Sequence, residues 1–277
     1  MSTLSEKRVY AEQGEPTPVY VAADQGLVRA KLSGDAVGEF SLARRCTAQD
    51  VALGADGLLA LSTNEATLVG GHTDELHETG FGASVAVSFH DWAGTLVAAD
   101  ADGRVARLPV ETLESGTLTA EEWVDFGSVD EVRAVDAPLV AASDGVYQLR
   151  DGDLDAAGLD DARDVTSRGA PLAATATGLY ELGNGWMVAR DGVHETVAGD
   201  GERAHAVDSA GTLYRRDGRE WQTTAFDAAD PVDVTYTADA TVVATESGSL
   251  HVDAGDGWRS RAIGVTGVEA AVAARPA

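Results

Sequence analysis

Apolar residues in this 277-residue chain come in short runs, broken every 6 to 10 residues by Gly, Asp, Asn or Pro. No stretch of a dozen residues carries a helical stripe at i, i+3, i+4 and i+7, so the pattern predicts strands throughout. One phrase keeps returning. It reads VAADQGLVRA from Val21, VAADADGRVARL from Val97, VAASDGVYQLRDG from Val140, LAATATGLYELGNG from Leu172 and VVATESGSLHV from Val242. Aligned on its glycine, the phrase places Gly26, Gly103, Gly145, Gly178, Gly211 and Gly248 at steps of 77, 42, 33, 33 and 37. The double first step accommodates LLALSTNEATLV (58–69), with Ala66 in the glycine's place, and seven units then span the chain at a mean step of 37 residues. That spacing marks a repeat architecture.

Each unit divides into four strands. Around Gly145 these are EVRAVDA, PLVAAS, GVYQLR and the stretch after RDGD. Ankyrin, tetratricopeptide and HEAT repeats of similar period need helices that this pattern does not offer. Four strands per unit, repeated seven times, predict an all-β fold: a β-propeller of seven four-stranded blades, within a range of six to eight, forming a single domain over 1–277. The VAA or LAA segment is apolar on consecutive positions, as suits a strand covered on both faces, and its small residues fit where blades converge. The glycine that follows supplies the positive φ of a tight hairpin. Trp186, Trp221 and Trp258 recur after a second set of turns, with Trp123 as their counterpart in the third unit, and are read as packing residues of the outer strands. The C-terminal VEAAVAARP (268–276) resembles first strands such as EVRAVDAP, so it is expected to pair with the N-terminal blade and close the ring.

These repeated units, with the acidity described below, resemble a haloarchaeal β-propeller family of unknown function. The resemblance covers essentially the whole chain and implies the fold, without catalytic residues to carry over. A weaker likeness is to Asp-box propellers of the sialidase type: in DAGDGW, Asp253, Gly255 and Trp258 match the box. That motif is a turn and implies no glycosidase chemistry.

Composition adds an environment. Aspartate and glutamate number 46 against 20 lysine plus arginine, a formal charge of −26, while 44% of residues are hydrophobic. Acidic disordered chains lack periodic Val, Leu and Ala, so the charge sits on a folded surface. Abundant Asp with only Lys7 and Lys31 as lysines is similar to cytosolic proteins of salt-in halophilic archaea. Such a surface disfavours direct binding to nucleic acid or anionic membranes. The N-terminus has no apolar signal region and no 18 apolar residues run together, so a soluble, cytoplasmic monomer is expected. One cysteine, Cys46, excludes an intrachain disulfide and a multi-Cys zinc site; Arg44 and Arg45 could lower its pKa, but a half-buried small hydrophobe accounts for it.

Candidate chemistry is sparse. Asp151, Asp153 and Asp155 have calcium-loop spacing but lack the later Gly and Glu, and read as a solvated turn. His72, Asp74, His77 and Glu78 do not follow a metal-site spacing and read as a polar turn. No metal and no cofactor are expected. His90, Asp91 and Trp92 are placed in a loop near the axis, where a His-Asp pair could contact a partner or ligand. Arg133, Arg168 and Tyr236 are the conspicuous first-strand residues expected at the channel. The insertion PVETLESGTLTAEE (109–122) is the longest departure from the repeat and a candidate binding segment. No catalytic constellation is recognisable, so the expected role is a non-catalytic scaffold for an unknown protein partner. The alternative is a hydrolase or lyase acting on a small molecule or glycan at the channel mouth, and an adaptor to a nucleoprotein complex would need Arg44, Arg45, Arg104 and Arg107 on one face.

Overall fold

The computed structural model describes residues 15–274 except 56, 72–74, 91–93, 116 and 117. Its strands form seven four-stranded antiparallel sheets, each one blade of a β-propeller. Blade 1 combines the first three strands of the chain with the last: Val268–Ala273 pairs with Thr17–Ala23, setting Tyr20 against Val272 and Ala22 against Ala270. The expected closure is therefore present. The innermost strands of blades 2 to 7 are Ala48–Leu53, Ala86–His90, Val132–Asp136, Ala162–Thr166, His194–Gly199 and Pro231–Tyr236.

The recurring phrase is the hairpin of the second and third strands, one strand out from the axis. In blade 4, Leu139–Ala142 pairs with Gly145–Arg150. Its small residues are explained by burial on both faces. Apolar side chains gather in seven clusters, each spanning one blade-to-blade contact. Val97 belongs to the cluster towards blade 4 and its neighbour Ala98 to the cluster towards blade 2, so every position of the strand is core. The glycine does more than permit a turn. A Cβ on Gly103 (φ +86°) would lie 1.8 Å from the carbonyl oxygen of Val129, and one on Gly248 (φ +80°) 1.9 Å from that of Val265. The hairpin tip touches the main chain that leaves the outer strand, and only hydrogen fits between them.

The tryptophans are packing residues, as expected. Trp186 opens the outer strand of blade 5 and donates from Nε1 to the Ala157 carbonyl in the outer strand of blade 4, at 2.9 Å. Trp123 is buried against Phe81 and donates to the Thr79 carbonyl at 2.8 Å. The insertion at 109–122 lies between the third and fourth strands of blade 3, at its rim. Its described parts include short 3-10 turns at Val110–Ser115 and Ala120–Glu122. Cys46 is half-buried, and burial raises its thiol pKa, in keeping with the hydrophobe reading.

Candidate functional site

Two cavities open on the axis. One, of about 440 Å³, is lined among others by Leu53, Phe89, Asp136 and Arg168; the other, of about 640 Å³, by Arg133, Arg163, Glu195 and Glu269. Asp50 and Val135 line both. They are the two ends of one channel.

The local geometry of the innermost strands builds the larger mouth. Six of them slip register by one residue against their second strands, at Gln49, Arg133, Arg163, Glu195, Val232 and Glu269. Such a bulge inserts an extra residue and re-aims it. Val85 of blade 3 holds the corresponding place, just before Ala86. All seven of these residues line the mouth. One blade after another thus presents a single side chain to the same opening, in the order Gln, Val, Arg, Arg, Glu, Val, Glu. Arg163 is paired with Glu195 of the next blade, and Arg133 with Asp161, across two more blade contacts.

The residue after each bulge has a different fate. In blades 2, 5 and 7 it is Asp50, Asp164 and Asp233. Each accepts on Oδ1 from the amide of its own following residue, at 2.7, 2.8 and 2.6 Å for Val51, Val165 and Val234. Each accepts on Oδ2 from the innermost strand of the next blade, at 2.8, 2.8 and 2.7 Å for Val87, Val197 and Ala271. These clasps join blade 2 to 3, 5 to 6 and 7 to 1. A second tier lies two residues further on: Ser88 accepts from the Ala137 amide at 3.1 Å, Asp136 from the Ser167 amide at 2.7 Å and Thr235 from the Ala273 amide at 2.9 Å.

The three clasping aspartates border the channel but are surrounded by protein, and desolvation raises each carboxyl pKa. Asp50 is pushed up to about 6 and Asp233 to about 7; Asp164 also moves well upward. The main-chain donors oppose the shift, and neighbouring aspartates add to it: Asp136 acts on Asp50, Asp50 on Asp233, and Asp233 and Asp136 on Asp164.

The sequence candidates are dispersed over this frame. Arg133 is in the ring of the larger mouth and Arg168 at the opposite one. His90 ends the innermost strand of blade 3, with Asp91 and Trp92 outside the described residues. Tyr236 is only 3% exposed and does not line the channel: it is packed between blades 6 and 7, where its hydroxyl is 2.9 Å from His205 Nδ1 and donates to the Ala198 carbonyl at 3.2 Å. Its ring joins the apolar cluster between the two blades and its hydroxyl reaches the innermost strand of blade 6, whereas Leu53 at the same place in blade 2 lines the channel. His72 and Asp74 also lie outside the described residues, while His77 and Glu78 form the exposed outer strand of blade 2 rather than a turn. Among the described residues no cluster of His, Cys, Asp and Glu could hold a metal, and no helix is long and apolar enough to cross a membrane. Arg44 ends the outer strand of blade 1 and Arg45 follows it in the link to blade 2, while Arg104 and Arg107 are on the third strand of blade 3. The clasping aspartates and most of the ring went unread in the sequence, although x-Asp-Val recurs in first strands as QDV, RDV and VDV.

No curated protein matches this sequence. Solved structures with similar folds include the computationally designed Ika8 protein, at 12% identity and TM-score 0.60, covering 94% of this chain and 91% of that one. The Myceliophteria thermophila Cps50 (Swd1) β-propeller domain is similar at 11% identity and TM-score 0.63, covering 82% and 90%. The WD40 β-propeller domain of Doa1 is similar at 13% identity and TM-score 0.61, covering 78% and 83%. At these identities the likeness is one of fold. The family model described as Beta-prop_HVO_0234:-like, beta propeller, matches residues 3–274, and the chain belongs to that β-propeller family.

Proposed function

We propose that the protein is a non-catalytic scaffold that binds a protein partner over the larger channel mouth, as a single-domain monomer in a high-salt cytosol. The observation that carries this reading is the ring of seven bulge positions. Repeated backbone geometry delivers seven side chains to one opening, and their chemistry differs around the ring: two arginines, two glutamates, a glutamine and two valines. A mouth built only to seal the axis would be served by small apolar residues. A mixed, patterned rim suits recognition of a shaped, partly charged surface.

The competing assignment, a hydrolase or lyase at the channel mouth, needs an acid or base free to exchange protons with substrate. Of the carboxylates at the channel, Asp50, Asp164 and Asp233 do not supply it, since both oxygens of each already hold main-chain amides. The scaffold reading is tested by exchanging charges within the rim. The double variant Arg163→Glu, Glu195→Arg keeps the pair but reverses its direction; it is expected to fold normally and to lose at least tenfold in affinity for a partner isolated with the native protein. Undiminished affinity would place recognition elsewhere.

A further inference from the structure

Away from the axis, the contact between blades 6 and 7 departs furthest from the repeat. At the second-strand position held by Tyr20, Ala60, Val97, Leu139, Leu172 and Val242 in the other blades, blade 6 carries His205. Opposite it on the third strand is Arg215. Both line a cavity of about 510 Å³, together with Thr241, Asp239 and Asp253 of blade 7.

The side chains here have unspent hydrogen-bonding capacity. His205 is 3% exposed, and its ring is held from one side. The Tyr236 hydroxyl lies 2.9 Å from His205 Nδ1 and 3.2 Å from the Ala198 carbonyl oxygen; with its proton on that carbonyl, its oxygen accepts from Nδ1, and this is the tautomer the proposed site uses. The ring is neutral. Burial lowers its pKa to about 4, with the Arg215 and Arg203 charges adding to the effect. Nε2 is therefore a bare acceptor, with no hydrogen bond among the described residues, on a side chain that borders the cavity. Arg215 is exposed and makes no ion pair or hydrogen bond among the described residues. Its equivalents are covered differently: Arg29 lies over Tyr20 and Arg107 over Phe126, while Glu181 is paired with Arg216. Arg203, by contrast, is held by Asp200 and the Thr237 carbonyl. Asp253 gives Oδ1 to the amides of Gly255 and Gly257, leaving Oδ2.

We propose that this groove binds a small polyhydroxylated anion, a sugar acid or sugar phosphate, with its charge on Arg215 and its hydroxyls on His205 Nε2 and Asp253. A bare inorganic anion suits the site poorly, because Asp239 and Asp253 would face it. Hydroxyl donors turn those same carboxylates into partners.

The test is calorimetric titration of the full chain with glucuronate, glucose 6-phosphate, glucose and inorganic phosphate. At least one of the two charged sugars is expected to bind, with glucose and phosphate at least tenfold weaker, and which one binds identifies the anionic group. Arg215→Gln, at an exposed position, should weaken that ligand at least tenfold without moving the melting temperature, and the ligand should shift the ¹⁵N resonance of His205 Nε2. The proposal is overturned if neither sugar produces heat at millimolar concentration, if phosphate alone binds as tightly as the sugar, if Arg215→Gln leaves affinity unchanged, or if the His205 resonance stays in place.

Discussion

Arg163 and Asp164 are neighbours in sequence, share one strand and border one channel, yet the structure uses them in opposite ways. Arg163 belongs to the ring of bulge residues, where position repeats and chemistry varies. Asp164 belongs to the next ring inward, Ala270, Asp50, Ala86, Ala134, Asp164, Thr196 and Asp233, where chemistry is restricted. The restriction has a physical source. A clasping aspartate takes the amide of its own following residue and the equivalent amide in the next blade. An aspartate in that next blade would claim the same amide, so two cannot stand in adjacent blades. Around a ring of seven this allows three at most, and three are present, in blades 2, 5 and 7. Polar groups of the inner ring are spent on main-chain amides, whereas those of the outer ring face the open mouth, Arg133, Arg163 and Glu195 as members of ion pairs.

Substitutions that remove a clasp should separate the two rings most sharply. Asp164→Ala or Asp233→Ala strands two main-chain amides at a blade contact, and a loss of about 2–4 kcal/mol is expected in urea unfolding. Gln49→Ala, one residue from Asp50, should stay within about 0.5 kcal/mol. Comparable losses from both would remove the distinction. Adding a clasp should also fail. Ala134→Asp would compete with Asp164 for the Val165 amide and bring a further carboxylate to the channel, so it is expected to destabilise by about 1–3 kcal/mol; a rise in stability would refute the exclusion rule.

A smaller effect appears in pH dependence. The Asp233 carboxyl has its pKa raised to about 7, so between the unfolded carboxylate range near 4 and that value the folded chain binds more protons than the unfolded one. This group's contribution is present at the acid end of the window and is lost as pH rises through 7. Asp233→Asn removes it, so the variant's deficit relative to wild type should be larger at pH 5 than at pH 8, by about 1–2 kcal/mol. Melting curves of the two proteins at both pH values check the sign. The difference between proteins is the useful quantity, because His205, lowered to about 4, contributes in the opposite sense: its stabilisation is lost as pH falls from about 6.5 towards 4. Arg163→Gln removes a partly exposed ion pair and should cost less than about 1 kcal/mol.

What was legible in the sequence follows the same division. The second strand and turn glycine announce themselves because their constraints are local: burial on both faces selects small apolar runs, and a main-chain oxygen under 2 Å from the would-be Cβ selects glycine at Gly26, Gly103 and Gly248. Ring closure was legible because VEAAVAARP repeats a first-strand pattern. The rings were harder to see, since a bulge depends on how two strands register and a clasp on the amide of another blade. Strand order alone points Tyr236 to the channel, whereas its ring and hydroxyl are taken up by blade 6, a contact with a different blade that the strand's own sequence does not announce. Arg133, also expected at the channel, is itself a bulge residue and lines the larger mouth. His205 lies where the repeat expects a non-polar core residue, and that substitution was the available signal.

The central claim, that recognition belongs to the outer ring at the larger mouth, is tested most directly by a photo-crosslinking side chain at Gln49, with a second protein carrying it at Arg168 on the opposite mouth. Captured in the native host at its own salt concentration, the same partner should crosslink strongly from position 49 and only weakly from position 168. Crosslinking from position 168 alone would contradict the account.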